Sequence, residues 1–191
     1  MEDKSLEVLK QMLNKRGKDV KEIEKLGNSM DDTRMYNLGG VLILFSEKSR
    51  LSDKILDSYI EFCNTNNFKN GLIIIMMTSP SENIVDLIRQ HINIKTNFLI
   101  QLFDIRNLQY DITQHRKVPQ QRILSLEEVD LLQKNLRIQN FKRELPWIDS
   151  QDAMAKYLGA RPDDIIEIQR LSESAGLSKY YRCCVSNVLD T

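Results

Sequence analysis

Two short, unbroken apolar runs dominate the hydrophobic pattern: Val41–Phe45, entered from Gly39-Gly40, and Leu72–Met77, entered from Gly71. Runs of this length, rich in branched side chains, predict strands covered on both faces. Between them Ile55, Leu56, Tyr59, Ile60, Phe62 and Cys63 recur at helical spacing, with Ser52 or Asp53 as the N-cap. Upstream, Leu6, Leu9, Met12 and Leu13 predict an amphipathic helix over 3–16 that stops at Gly17. Beyond Pro80 and Ser81, Ile84, Val85, Leu87 and Ile88 predict another helix, and Phe98–Phe103 and Leu108–Ile112 two more strands. Residues 1–115 therefore read as a small α/β domain, a twisted sheet flanked by helices.

The pattern then breaks. Gln114–Arg122 is polar, holds a proline and follows neither period, so it reads as a linker, with a second domain over 116–191. Ser125 and Glu128 have the spacing of a capping box, opening a helix that buries Leu126, Val129, Leu132 and Leu136. Leu145–Ile148 is extended because of Pro146, after which Asp149 or Ser150 caps a short helix through Tyr157 that ends at Gly159. Ile165–Ile168 and Tyr180–Val185 read as strands joined by a loop holding Ser172–Gly176, so this is a small α+β module. No internal repeat or low-complexity segment interrupts either half.

Composition narrows the classes. The 191 residues are 41% apolar and 28% charged, an ordinary globular balance. Lys plus Arg and Asp plus Glu each number 27, so no global field draws the chain to a polyanion. From Arg116 onward twelve basic residues face eleven acidic ones, so the second half is balanced too. Any DNA contact is expected to be weak and local. The acidic start at Met1-Glu-Asp has no apolar core of a signal peptide, and no apolar run approaches the roughly 20 residues a bilayer needs. An intracellular chain without a membrane partner is expected. Cys63, Cys183 and Cys184 cannot form a full disulfide set, and the last two, adjacent in a strand, point to opposite faces.

Catalytic chemistry finds no foothold. Gly39-Gly40 lacks the rest of a phosphate cradle or dinucleotide fingerprint, and reads as a turn. His91 and His115 belong to no metal-ligand cluster, and no serine sits in a nucleophile motif. A metal-dependent nuclease needs carboxylates converging at a sheet edge; Leu72–Met77 supplies none, and Asp163-Asp164 reads as a solvated turn. No catalytic residue, cofactor or metal is therefore expected. What remains is a polar set, Tyr157, Arg161, Arg170, Ser172, Glu173 and Arg182. It reads either as an interface network built on arginine's planar fork or as internal pairing and solvation.

The same segment carries a family resemblance. Leu124-Ser125 with Glu128 and Leu131-Leu132, Leu145-Pro146 with Ile148, Asp152, Ala155 and Tyr157-Leu158-Gly159 are followed by Ile165-Ile166, Ile168, Arg170, Ser172-Glu173, Ala175-Gly176 and Tyr181-Arg182. In this order they resemble the fifth subunit shared by eukaryotic nuclear RNA polymerases and its shorter archaeal relative, which is the C-terminal module alone. A weaker likeness continues upstream through Ile112-Thr113, His115, Val118-Pro119, Asn67-Phe68 with Gly71, and Lys15-Arg16-Gly17.

The resemblance implies an N-terminal jaw domain over 1–115, a restriction-endonuclease-like small sheet with flanking helices and no working active site. It implies a C-terminal assembly domain over 116–191 that docks on the largest polymerase subunit and meets other core subunits. The jaw would lie near downstream double-stranded DNA. Within the assembly domain, Tyr157, Gly159, Arg161, Arg170, Ser172, Glu173 and Arg182 are the interface or module-stabilising candidates. Trp147 and Arg161–Asp164 depart from the family pattern, and the Asn, Ile and Lys richness suits a polymerase of a large DNA virus. The expected location is the nucleus, or a virion or cytoplasmic replication site for a viral enzyme. Two rival readings remain: a cryptic metal-dependent nuclease and a free-standing transcription adaptor.

Overall fold

The computed structural model describes residues 1–27, 33–47, 51–92, 98–172 and 176–186. They fall into two compact units, Met1–Asp111 and Ile112–Thr191.

Unit 1 is built on a five-stranded sheet of order β1-β2-β3-β4-β5, comprising Glu24–Leu26, Arg34–Leu38, Val41–Ser46, Gly71–Met76 and Ile100–Asp104. The first three strands are antiparallel, and β3, β4 and β5 run parallel. Parallel neighbours need crossovers, supplied by α2 (Asp53–Thr65) and α3 (Glu82–Ile92). Their apolar residues Leu56, Tyr59, Cys63, Ile84 and Ile88 pack with Leu42, Leu44, Leu72, Ile74, Ile100 and Leu102 from one face of the sheet. The alternate residues Ile43, Phe45, Ile73 and Ile75 are buried as well, so the unbroken apolar runs do mark strands covered on both sides.

α1 (Glu2–Lys15) buries Leu6, Leu9, Met12 and Leu13, and is tied down at each end. Glu2 pairs with Arg34 of β2 at 2.8 Å, and Lys15 with the buried Asp111 at 2.8 Å. β1 and β2 have no counterpart in the hydrophobic pattern, because β1 is a short, exposed edge and β2 mixes Arg34 and Asn37 with its apolar positions. The expected strand over Leu108–Ile112 is corrected: the chain forms 3-10 turns at Ile105–Leu108 and Ile112–Gln114. Asp104 caps the first of these by accepting the Arg106 N–H, which ends β5 early.

Unit 2 carries a four-stranded sheet of order β6-β8-β9-β7, comprising Gln120–Ile123, Ile165–Ser172, Gly176–Val185 and Trp147–Asp149. β6 begins inside the stretch Gln114–Arg122 read as a linker and ends one residue beyond it. Its alternating polar side chains hide the strand, which is held in place by pairing Arg122 opposite Glu167 and Ile123 opposite Ile166. α4 (Leu126–Leu136), α5 (Phe141–Glu144) and α6 (Ala153–Leu158) complete the unit. Each sheet face has its own core. Ile166, Ile168, Cys184 and Ile148 pack with Ala155 and Ala160 on one side. Ile165 and Cys183 pack with Leu124, Leu132, Phe141 and Leu145 on the other.

The expected burial of α4 is corrected too. Leu132 is buried and Val129 half-buried, but Leu126 is 86% and Leu136 53% exposed. The helix meets the sheet through one narrow stripe, and Leu126 stands in its first turn on the solvent side.

Gly71 shows how tightly the parallel core is drawn. It sits at φ +136°, and a Cβ there would lie 2.6 Å from the Leu99 carbonyl oxygen, a backbone atom with little room to retreat. Gly71→Ala is expected to destabilise unit 1 by at least about 2 kcal/mol in a urea melt, while Gly17→Ala, with open space around it, costs about 1 kcal/mol. Equal midpoints for the two variants would contradict the packing described.

Candidate polymerase-docking face and its charged support

The polar centre of unit 2 is a buried carboxylate. Glu167 projects from the middle of β8 and is only 3% exposed. It accepts from Arg122 Nε at 3.1 Å, Lys179 Nζ at 3.1 Å and the Tyr181 hydroxyl at 3.3 Å, donors placed by β6 and β9 on either side. Arg122 also donates to Glu128 at 2.8 Å. Glu128 in turn accepts the Ser125 N–H at 3.0 Å, while the Ser125 hydroxyl accepts the Glu128 N–H at 3.3 Å. The capping box expected from the sequence is therefore present and is fastened to the sheet through Arg122.

These bonds set the charge states. Burial pushes the Glu167 carboxyl up, but Lys179 and Arg122 together outweigh it and hold it below the usual range. At Glu128, the bonds from Arg122 and the Ser125 N–H hold the carboxyl down at about 2. Sequence reasoning missed Arg122, Glu167 and Lys179, because partners 45 and 12 residues apart share no local motif. A glutamate between Ile166 and Ile168 in a strand with two covered faces was the available signal, since a buried carboxylate demands partners.

The opposite face gathers part of the expected set. Arg170 and Arg182 lie over the ring of Tyr180, their guanidinium carbons 4.7 and 5.9 Å from its centroid. A cation over the face of a ring is attracted to it without using its hydrogen-bond donors. Arg182 Nε is buried with no hydrogen-bond partner among the described residues. Tyr157 is buried in α6, and Gly159 takes the left-handed conformation at φ 75° that ends this helix. Arg161 uses its backbone: its N–H donates to Asp164 Oδ2 at 2.7 Å, closing the turn into β8.

Three local features differ from expectation. Asp164 is half-buried and its carboxyl is pushed up by burial, so only Asp163 is the solvated residue of the pair. The cap of α6 is Asp152, which accepts from Met154 and Ala155 N–H, whereas Asp149 caps the preceding turn through Gln151 N–H. Ser172 and Gly176, read as loop residues, instead pair with each other at the ends of β8 and β9, and Glu173 lies outside the described residues.

In unit 1, Asp104 at the end of β5 accepts from Ser79 at 3.1 Å and from Arg106, which also donates to Ser79. The bond from Arg106 overcomes burial and holds Asp104 at about 2. This cluster closes on itself and fastens the loop after β4. Among the described residues no group of three or more His, Cys, Asp or Glu is placed to hold a metal ion, and no helix is long and apolar enough to cross a membrane.

The family now has a defined structural footprint. The sequence profile of the RNA polymerase Rpb5, C-terminal domain family matches residues 110–184, which is nearly all of unit 2. DNA-directed RNA polymerase subunit Rpo5 of Sulfolobus acidocaldarius is 45% identical over 76 residues, covering 40% of this chain and 88% of the relative. The subunit of the same name from Thermococcus celer is 43% identical over 79 residues, 41% of this chain and 94% of the relative, and that of Pyrococcus abyssi 44% over 79 residues with the same coverage. The chain belongs to the Rpb5/Rpo5 family of RNA polymerase subunits. These matches lend nothing to the nuclease or free-standing adaptor readings.

Glu167→Gln is expected to cost unit 2 about 1–3 kcal/mol at neutral pH, a range lowered because Arg122 and Lys179 are half-exposed. Since the native carboxyl is held low, its stabilisation is complete above its unfolded pKa of about 4.3 and fades as pH falls through the lower native value. Denaturant melts from pH 7 downward should show wild type and variant converging below about pH 4. A constant gap would refute the assignment.

Proposed function

We propose that this chain is a noncatalytic, architectural subunit of a multisubunit DNA-directed RNA polymerase, held in the enzyme by unit 2. One observation carries the reading. The archaeal relatives named as polymerase subunits align over 88–94% of their own length with a segment that folds here as a sheet with its own two cores. A stretch that is nearly the whole subunit elsewhere is the docking part here, and bond-making chemistry belongs to other chains.

Unit 2 is then the assembly domain that meets the largest subunit and neighbouring core subunits. Arg170, Arg182, Ser172 and Glu173 serve the interface, while Tyr157, Gly159 and Arg161 shape the module behind it. Unit 1 is the jaw, a restriction-endonuclease-like domain beside downstream double-stranded DNA. The apolar composition of β4 and the engagement of Asp104 by Arg106 and Ser79 accord with a jaw that does not cleave DNA. With formal charge balanced over the chain, any phosphate contact is local, weak and lost with modest salt. The protein works where its polymerase transcribes: the nucleus, or a virion or cytoplasmic replication site if the polymerase is viral.

Native mass measurement of the tagged full chain, purified from its own cells, is expected to give a complex containing the largest polymerase subunit at one-to-one stoichiometry. Recovery of the chain alone would overturn the proposal, as would DNA cleavage with magnesium or manganese that follows the pure protein through chromatography.

A further inference from the structure

Beyond its pairing with neighbours, the β8–β9 hairpin continues as a bare two-stranded ribbon. β6 accompanies β8 only as far as the Gln120–Gln169 pair, and β7 accompanies β9 only from Cys183 to Val185. The ribbon runs on through the Arg170–Ser178, Leu171–Leu177 and Ser172–Gly176 pairs, about 10 Å of strand. An isolated ribbon is marginal in water, so the residues placed on it are informative.

Its two faces differ in kind. Leu171 and Leu177 stand directly opposite each other on the same face, 90% and 60% exposed. A cross-strand leucine pair at such exposure gains little from folding and would gain from cover. By the two-residue alternation of strands, Arg170 points to the other face. That face also carries Tyr180 and Arg182, so a cationic track runs from the exposed Arg170 toward the body of the sheet. Among the described residues neither guanidinium has a carboxylate partner, although carboxylates elsewhere in the unit are engaged by Arg122, Lys179 and backbone N–H groups.

We infer that the end of the β8–β9 ribbon is a two-sided plug that seats in a cleft of another polymerase subunit, a cleft with an apolar wall against Leu171 and Leu177 and a carboxylate-bearing wall against Arg170 and Arg182. The inference rests on the polymerase-subunit reading and specifies the chemistry of the partner. A guanidinium is a planar fork that meets a carboxylate in two parallel bonds, and Arg170, exposed beside the Tyr180 ring, offers such a fork at the end of the ribbon. A protein fits better than nucleic acid for two reasons: a leucine pair offers nothing to a phosphate backbone, and a chain of zero formal charge has no field to hold one. The exposed backbone edges of the ribbon add hydrogen-bonding groups that the cleft walls can satisfy.

The test uses the tagged full-length chain in its native cells, comparing wild type with Leu171→Asp, Leu177→Ser and Arg170→Glu. All three positions are exposed, and coincident circular-dichroism melts of the purified variants establish that the fold is kept. Each variant is expected to recover the other polymerase subunits about tenfold less well than wild type at the same salt. Arg170→Lys should keep most of the recovery, and carbodiimide treatment should then couple Lys at position 170 to an Asp or Glu of a second subunit, located by peptide mass mapping. Wild-type chain that recovers no polymerase subunits overturns the underlying reading and this inference with it. Wild type that assembles while all three variants assemble equally well overturns the plug alone. Loss of DNA retention by Arg170→Glu with subunit recovery unchanged overturns the carboxylate wall in favour of phosphate.

Discussion

A buried glutamate among isoleucines is the constraint around which unit 2 is arranged. β8 sends Ile166 and Ile168 to one face and Ile165 and Glu167 to the other, and both faces are covered near its middle. A carboxylate there is tolerable only with donors from both sides, so β6 must bring Arg122 and β9 must bring Lys179 and Tyr181. Those three donors fix the register of the sheet. Arg122 then reaches Glu128, and the start of α4 is set by the same network. A slip of one residue in either neighbouring strand would turn the donors to the wrong face and strand the charge.

The two faces of this sheet differ in how their charges are met. On the Glu167 side the buried acid is met by two cations, and the same face ends in the exposed Leu171 and Leu177. The Tyr180 side holds two arginines that have no carboxylate among the described residues. In the docking role proposed above, a surface whose support is already in place would gain affinity without ordering itself on contact. The archaeal relatives match this unit over 94% of their own length, and unit 1 is a second body joined to it.

Much of this was legible in the order of residues. The apolar runs at Val41–Phe45 and Leu72–Met77 announced strands covered on both faces, and Ser125 with Glu128 announced a helix start, because each depends on neighbours within a few positions. Gly159 at its helix end was readable for the same reason. Features decided by distant partners were not. β6 looks like a polar linker until Arg122 is set against Glu167, and Leu126 and Leu136 look like core until α4 is seen to touch the sheet by one stripe. Asp149, Ser150 and Asp152 are all competent caps, and only the backbone path chose Asp152. Of the expected interface residues, Arg170 and Arg182 share an aromatic ring that the sequence spacing alone did not mark as common ground.

The three cysteines fall one to a cluster: Cys63 on the sheet-facing side of α2 in unit 1, Cys183 and Cys184 in the two separate cores of unit 2. Burial pushes their thiols up to about 12, 11 and 12, so little thiolate exists at neutral pH and oxidants or alkylating reagents find no ready target. The chain thus comes equipped with three silent labels. Each becomes reactive only when its own layer parts, and the rate at which each is modified times the breathing of that layer without any foreign probe.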